Sequence, residues 1–100
     1  MVDVTRPLPQ NEARKLVAKI ARDGSVAPSK HALLEMAADP LGRFGMTDVY
    51  NVLRLGRLME PCELVNGSWR YRLHTDRFCV VVAFRSETAL VIVTTWRKKS

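Results

Sequence analysis

The sequence predicts an α+β fold in which two to three N-terminal helices pack on a four-stranded antiparallel β-meander. Two observations carry this prediction. Apolar residues recur with a helical period as far as Gly56 and with a strand period after it. Short polar turns divide the second half, so strands that follow one another along the chain are expected to pair. The amphipathic helices would then cover one face of the sheet.

Three helices are predicted, over residues 10–23, 30–38 and 47–55. The first has apolar residues three and four apart along one face, and Gly24 is expected to end it in the left-handed conformation. Ser29 and Thr47 are suited to cap the second and third helices. Residues 25–28 read as a short extended link, because Pro28 disfavours helix in the residue before it.

Four strands are predicted, over residues 57–65, 68–75, 78–85 and 89–97. Asn66-Gly67 favours a tight hairpin turn, since both turn positions need a positive φ. Pro61 cannot donate to a central ladder, so the first of these strands is expected either to lie at an edge of the sheet or to be bulged. Residues 1–8 have no period and read as a flexible arm, which leaves residues 9–100 as a single α+β domain.

The charge of the chain is unevenly distributed. Residues 67–100 hold seven Lys or Arg against two Asp or Glu, which is +5 of the net +6. Clustered basic charge favours a polyanion such as nucleic acid, and a solvated basic surface is the alternative. No apolar run has the length of a membrane span or a signal peptide, so a cytoplasmic protein without a membrane partner is expected. Cys62 and Cys79 lack the spacing of a metal motif, and no cofactor is predicted.

The segment 69–74 alternates between apolar and cationic side chains. On a strand, alternation places Arg70, Arg72 and His74 on one face, opposite the apolar residues. Two guanidinium groups and an imidazole on one face suit a phosphodiester. The alternative is an ordinary half-buried strand with a solvated basic face.

Metal-independent cleavage of RNA is the chemistry that these residue types can support. It needs a base for the 2′-hydroxyl, an acid for the leaving oxygen and cations for the charged phosphate. His31 and His74 are the two histidines of the chain and are predicted to move the protons, while Arg70 and Arg72 hold the phosphate. His31 bonded to a loop carbonyl and His74 in solvent are the structural alternatives. No phosphate-binding glycine loop, dinucleotide fingerprint or serine-hydrolase elbow points to another enzyme class.

Short motifs follow one another from Ser29 to Arg97: Ser29-x-His31-Ala32, Met36, Arg43-x-Gly45-Met46-Thr47, Gly56, Tyr71-Arg72 and Ile92-Val93-Thr94-x-Trp96-Arg97. They resemble a bacterial domain family of unassigned function, which is similar in layout to the RelE-like and barnase-like (BECR-type) toxin ribonucleases. Glu35 departs from the pattern, because such domains usually carry a basic residue on the helix with the histidine.

The resemblance implies a metal-independent endoribonuclease toxin that acts on RNA, including mRNA on the ribosome, and is held inactive by an acidic antitoxin protein. The end of the last strand, with Thr94, Trp96, Arg97 and Lys98, is predicted to bind RNA beside the four catalytic candidates. If the missing basic residue touches RNA in relatives, the helix that carries Glu35 contributes less here.

Two other functions stay open on the sequence. The basic face could bind RNA or DNA without cleaving it, because a fold does not fix a function. Alternatively, an exposed strand edge could pair with a partner protein. Cleavage of RNA in EDTA separates the first function from the others, and salt-dependent retardation of nucleic acid separates the second from the third.

Overall fold

The computed structural model describes residues 3–39, 42 and 44–98. These form an α+β fold with three helices and a five-stranded mixed sheet. The helices are α1 (Gln10–Asp23), α2 (Lys30–Ala37) and α3 (Met46–Leu55). The strands are β1 (Ser25–Pro28), β2 (Arg57–Val65), β3 (Ser68–His74), β4 (Phe78–Ser86) and β5 (Ala89–Arg97), and their order in the sheet is β1-β5-β4-β3-β2.

The predicted meander is present from β2 to β5. Each of these strands pairs antiparallel with the next one along the chain. Asn66 and Gly67 have φ values of 49° and 79°, as the tight hairpin turn between β2 and β3 requires. The strand that contains Pro61 lies at an edge, as predicted.

The expectation of a purely antiparallel, four-stranded sheet is wrong. Residues 25–28, which read as a link, form β1 and pair parallel with the first half of β5, from Ser25 opposite Ala89 to Pro28 opposite Ile92. The outer edge of β5 would otherwise expose unpaired backbone groups, and this short segment satisfies part of it.

Gly24 is needed for a different reason from the predicted one. Its φ is −109°, so it is not left-handed. A Cβ atom at this position would lie 2.4 Å from the carbonyl oxygen of Thr88. The next amide, that of Ser25, donates to the same oxygen at 2.9 Å. Glycine therefore permits the close approach that starts the parallel strand pair.

One face of the sheet packs against α1 and α3. The buried residues of these helices form a continuous core with sheet residues that all project from this face: Leu58, Tyr71, Leu73, Phe78, Val80, Val82, Leu90 and Ile92. Residues of the predicted arm also lie against the sheet, because the Leu8 amide donates to the Tyr71 hydroxyl at 2.9 Å. No helix of the described chain is long and apolar enough to cross a membrane.

Helix α2 continues the cover of the β5 edge beyond the end of β1. Ser29 caps it as predicted: the hydroxyl accepts from the Ala32 amide at 3.0 Å and donates to the Val93 carbonyl at 2.9 Å. Ala32 and Met36 reach the core, whereas Leu33 and Leu34 remain 50% and 61% exposed. The helix is thereby fixed beside the second half of β5.

Candidate nucleic-acid interface

The face of the sheet opposite α1 and α3, here called the open face, carries the predicted cations. Directly paired residues of antiparallel strands project from the same face. Arg72, Val81 and Thr94 form one row across β3, β4 and β5, and His74, Cys79 and Trp96 form the next. The two rows contain four predicted site residues of β3 and β5, and Arg70, two residues before Arg72 on β3, projects from the same face as a fifth.

A depression of about 180 Å³ lies on the open face and is lined by Glu63, Val65, Arg70, Arg72, Val81, Thr94 and Trp96. Trp96 is 41% exposed although it is a large aromatic residue. Cys79, in the neighbouring row, is 2% exposed, and burial raises the pKa of its thiol. The depression thus combines two guanidinium groups, a carboxylate, a hydroxyl and an aromatic ring with the side chains of Val65 and Val81.

The two arginines of the depression are weakly engaged by the protein. The Nε atom of Arg70 is buried and has no hydrogen-bond partner among the described residues. Arg72 Nη2 lies 3.5 Å from Glu63 Oε1, and both side chains are largely exposed. A surface pair of this kind contributes little to stability, so an incoming anion can compete with Glu63 for Arg72.

His31 is linked through Glu35 to Thr94, which lines the depression. One carboxylate oxygen of Glu35 lies 3.0 Å from His31 Nε2 and accepts hydrogen bonds from the Thr94 hydroxyl and, at 3.2 Å, from the Thr95 amide. The amide is an edge donor of β5, so this carboxylate joins α2 to the sheet. When Nε2 donates to Glu35, Nδ1 is the nitrogen left to accept a proton from a ligand.

His74 lies in a second depression, of about 200 Å³, that is lined by Leu55, Arg57, His74, Thr75 and Asp76. Its Nδ1 atom is 2.6 Å from Lys98 Nζ, and Arg57 is its direct partner on β2. Burial, assisted by the positive charges of Lys98 and Arg57, lowers the pKa of His74, and Asp76 opposes the shift. The neutral imidazole therefore predominates at neutral pH.

The two histidines are not brought together. Strands β4 and β5 separate β3, which carries His74, from α2, which carries His31. Two strand spacings amount to about 10 Å, so the backbones at the two histidines are further apart than that. His31 belongs with Glu35 and Thr94, whereas His74 belongs with Lys98 and Arg57.

Arg97 lies on the face that packs against the helices, away from the open face. Its guanidinium bonds the Asp39 carboxylate at 2.8 and 3.0 Å and lies 4.7 Å from the centre of the Phe78 ring. The hydrogen bonds to Asp39 raise the pKa of Arg97. The role of Arg97 in this structure is to hold α2 and the residues after it against the end of β5.

Two residues of the interface were missed by sequence reasoning. Glu35 was noted only as a departure from a motif, although a carboxylate four residues after His31 on a helix is a signal for their contact. Arg57 was missed because its partner on β3 is not the expected one. If the register next to the hairpin turn continued along β2, Asp76 would lie opposite Arg57, whereas the observed partner is His74. An irregularity between Met59 and Glu63 shifts the register of β2 by two residues.

A larger cleft, of about 580 Å³, lies on the other side of the molecule between residues 3–9 and α1. It contains none of the predicted site residues. Lys15 and Lys19 line it, and Arg6 pairs with Asp3 at its rim. This surface is the natural place for a comparison variant, because it is also basic.

In residues 3–39, 42 and 44–98, no three His, Cys, Asp or Glu side chains are grouped as a metal site. What the open face offers chemically is anion binding by fixed cations and ring stacking on Trp96, and the His31 imidazole is connected to it through Glu35 and Thr94. Comparison of the chain with protein-family models, with curated proteins and with solved structures finds no match.

Proposed function

We propose that the open face binds RNA and that the chain is a metal-independent endoribonuclease of the toxin type. The observation that carries the proposal is the depression in which Arg70, Arg72 and Trp96 meet, with His31 two contacts away through Glu35 and Thr94. Phosphate binding by guanidinium groups beside an aromatic ring is the usual chemistry of RNA surfaces.

Binding rests on the two arginines of β3. Within residues 3–39, 42 and 44–98, the buried Arg70 Nε has no hydrogen-bond partner, and Arg72 lies beside the exposed carboxylate of Glu63. A phosphate in the depression would satisfy both guanidinium groups by charge-assisted hydrogen bonds. The exposed ring of Trp96 can stack on a base next to that phosphate.

Cleavage is assigned to His31. Its Nδ1 takes the proton of the 2′-hydroxyl, the 2′-oxygen bonds to phosphorus, and the bond from phosphorus to the 5′-oxygen breaks while that oxygen takes a proton from solvent. Arg70 and Arg72 stabilise the charge that develops on the phosphate. The expectation that His31 and His74 flank one phosphate is not carried forward, because β4 and β5 lie between their backbones.

RNA binding without cleavage is the second candidate. The separation of the two histidines favours it, since it leaves no side-chain acid assigned to the leaving oxygen. The same surface then acts as a binding module, and its affinity for RNA does not depend on His31.

Incubation with RNA in EDTA decides between the two. We expect cleavage by the wild-type chain, and a loss of about 10²- to 10⁴-fold in the His31→Ala variant, the usual effect of losing a proton-transfer group. Binding of a 2′-O-methyl RNA, which cannot be cleaved, serves as the control for an intact surface. Cleavage that is unchanged in His31→Ala would contradict the catalytic assignment.

The location of the site is tested by a pair of double variants. Arg70→Ala with Arg72→Ala should weaken RNA binding and flatten its salt dependence, because fewer counterions are released. Lys15→Ala with Lys19→Ala removes the same charge from the cleft beside α1 and should leave binding unchanged. The reverse result would move the site to that cleft.

An inhibitory partner follows from the toxin proposal. An acidic protein complements a chain of net charge +6 and would cover the open face. A small acidic protein encoded beside this chain, which blocks RNA binding when added in equimolar amount, is the expected antitoxin.

A further inference from the structure

A cluster of three basic side chains lies beyond the depression on the same open face. Arg57 on β2, His74 on β3 and Lys98 just after β5 contribute to it. Lys98 Nζ is 2.6 Å from His74 Nδ1, so two of these groups are in direct contact. Arg57 is exposed and lines the 200 Å³ depression with His74 and Asp76.

The positive charge of this cluster is not fully compensated. Burial lowers the pKa of His74, and the positive charges of Lys98 and Arg57 lower it further. Asp76 raises this pKa by a smaller amount, so it does not cancel the two cations. A neutral imidazole held against an ammonium group leaves the positive potential of Lys98 and Arg57 directed towards solvent. An anion placed there would gain contacts with both cations.

The cluster also lies in line with the two arginines of β3. Arg70, Arg72 and His74 are alternate residues of one strand, so they project from one face at steps of about 6.6 Å. That step is close to the spacing of successive phosphates in an extended nucleic-acid strand. Arg70, Arg72 and the cluster at His74 therefore form a ladder of anion-binding groups along one strand.

We propose that Arg57, His74 and Lys98 form a second phosphate subsite, and that single-stranded RNA lies along β3 from Arg70 to this cluster. The inference rests on the proposed function of the open face and adds the class of RNA and the path that it takes across this face. Trp96, which is in the same row as His74 and lines the depression with Arg70 and Arg72, stacks on a base of the bound strand.

The aromatic ring is what selects a single strand. A base in a duplex is stacked on both sides and cannot offer a face to a side chain, whereas an unpaired base can. Trp96 is exposed and lines the depression with Arg70 and Arg72, so a strand bound there can present an unpaired base to it.

The test compares two RNA lengths by fluorescence anisotropy, with 2′-O-methyl oligouridylates that cannot be cleaved. A dinucleotide has one phosphate and fills one subsite, whereas a hexanucleotide spans the ladder. The wild-type chain should bind the hexanucleotide more tightly. In the variant with both Arg57→Ala and Lys98→Ala, the ratio of hexanucleotide affinity to dinucleotide affinity should fall by about tenfold, the order of one charge-assisted contact. The salt slope for the hexanucleotide should fall by about 0.7.

Controls separate this inference from the proposed function. Circular dichroism checks the fold of each variant. The control variant with Lys15→Ala and Lys19→Ala should bind the dinucleotide and the hexanucleotide as tightly as the wild-type chain does. If Arg70→Ala with Arg72→Ala leaves both affinities unchanged, the proposed function fails. If that pair weakens both lengths while Arg57→Ala with Lys98→Ala weakens neither, only the second subsite is overturned.

A third arm addresses the source of the phosphate. Inorganic phosphate should displace the hexanucleotide only at concentrations far above the hexanucleotide's Kd, because it occupies one subsite at a time. If inorganic phosphate displaced the hexanucleotide at a concentration equal to the hexanucleotide's Kd, the cluster would be a site for free phosphate, and the proposal that RNA lies along β3 would be overturned. Equal affinity for a duplex and a single strand of the same length would also overturn it.

Discussion

Asp39 holds Arg97 with both carboxylate oxygens, at 2.8 Å from Nε and 3.0 Å from Nη2, while its own side chain is only 1% exposed. The pair lies beside the Phe44–Phe78 ring contact, in which the ring centres are 4.5 Å apart, because Arg97 covers Phe78. A residue that the sequence predicted to bind RNA thus joins the end of β5 to the segment after α2.

We therefore predict that Arg97→Ala acts on stability more than on binding. Removing the guanidinium takes two charge-assisted bonds from a buried carboxylate, so the urea midpoint should fall clearly. Arg97→Lys keeps the charge without the planar two-bond geometry, so its urea midpoint should lie between those of the wild-type chain and Arg97→Ala. Arg85→Ala, an exposed position on β4, is the matched control. If Arg97→Ala had a wild-type urea midpoint and bound RNA weakly, the prediction would be contradicted and Arg97 would be assigned to RNA binding.

Glu35 is predicted to fix α2 to the edge of β5. Glu35→Ala removes the acceptor of the Thr95 amide and of the Thr94 hydroxyl, and should lower the free energy of unfolding by about 1–3 kcal/mol. Glu35→Gln keeps an oxygen acceptor and should lose less. Hydrogen exchange followed by NMR gives the local readout: the Thr95 amide should exchange faster in Glu35→Ala. Unchanged exchange there would mean that the edge is protected without Glu35.

Glu63 is predicted to compete with RNA for Arg72. In Glu63→Gln the 3.5 Å ion pair is lost and the negative charge in the depression disappears. Exposed charge pairs contribute about 0.2–1 kcal/mol, so RNA affinity should rise by between about 1.5- and fivefold. Glu12→Gln, on α1, removes the same charge outside the open face and should have no effect. A fall in affinity in Glu63→Gln would assign Glu63 to RNA binding itself.

His74 should make stability depend on pH. Its pKa is lower in the folded protein than its ordinary value of 6.5, so the unfolded chain takes up the proton first as the pH falls. The stabilisation from His74 is therefore complete above about pH 6.5 and is lost as the pH falls towards its folded pKa. Urea unfolding at pH 7.5 and 5.5 should show a smaller difference for His74→Gln than for the wild-type chain. An equal difference would contradict the lowered pKa.

Local chemistry explains why most elements were predictable. The helical period fixed α1 and α3 closely, and the Asn66-Gly67 turn set where β2 ends and β3 begins. Each of these signals is contained within about ten residues. Strand β1 has no such signal, because its four residues become a strand only through partners on β5 that lie far away in sequence.

The site was predictable to the extent that it follows from alternation. Alternation alone put Arg70 and Arg72 on one face, as observed. The same rule separates Arg97 from Trp96, since neighbouring residues of a strand project from opposite faces, and applying it to β5 would have removed Arg97 from the predicted interface. The distance between His31 and His74 could not be predicted, because it depends on β4 and β5 lying between β3 and α2.

The parallel pairing of β1 with β5 also constrains the order of events during synthesis and folding. Ser29, directly after β1, bonds to Val93, which is 64 residues further along the chain. Contacts of such long range are entropically costly to close and form slowly. The pairing of β1 with β5 therefore waits until the last strand has left the ribosome, whereas α1 can already pack against α3 and the hairpins of β2 to β5 can form among themselves. The surface that carries Arg70, Arg72 and Trp96 is likewise complete only after β5 has been made.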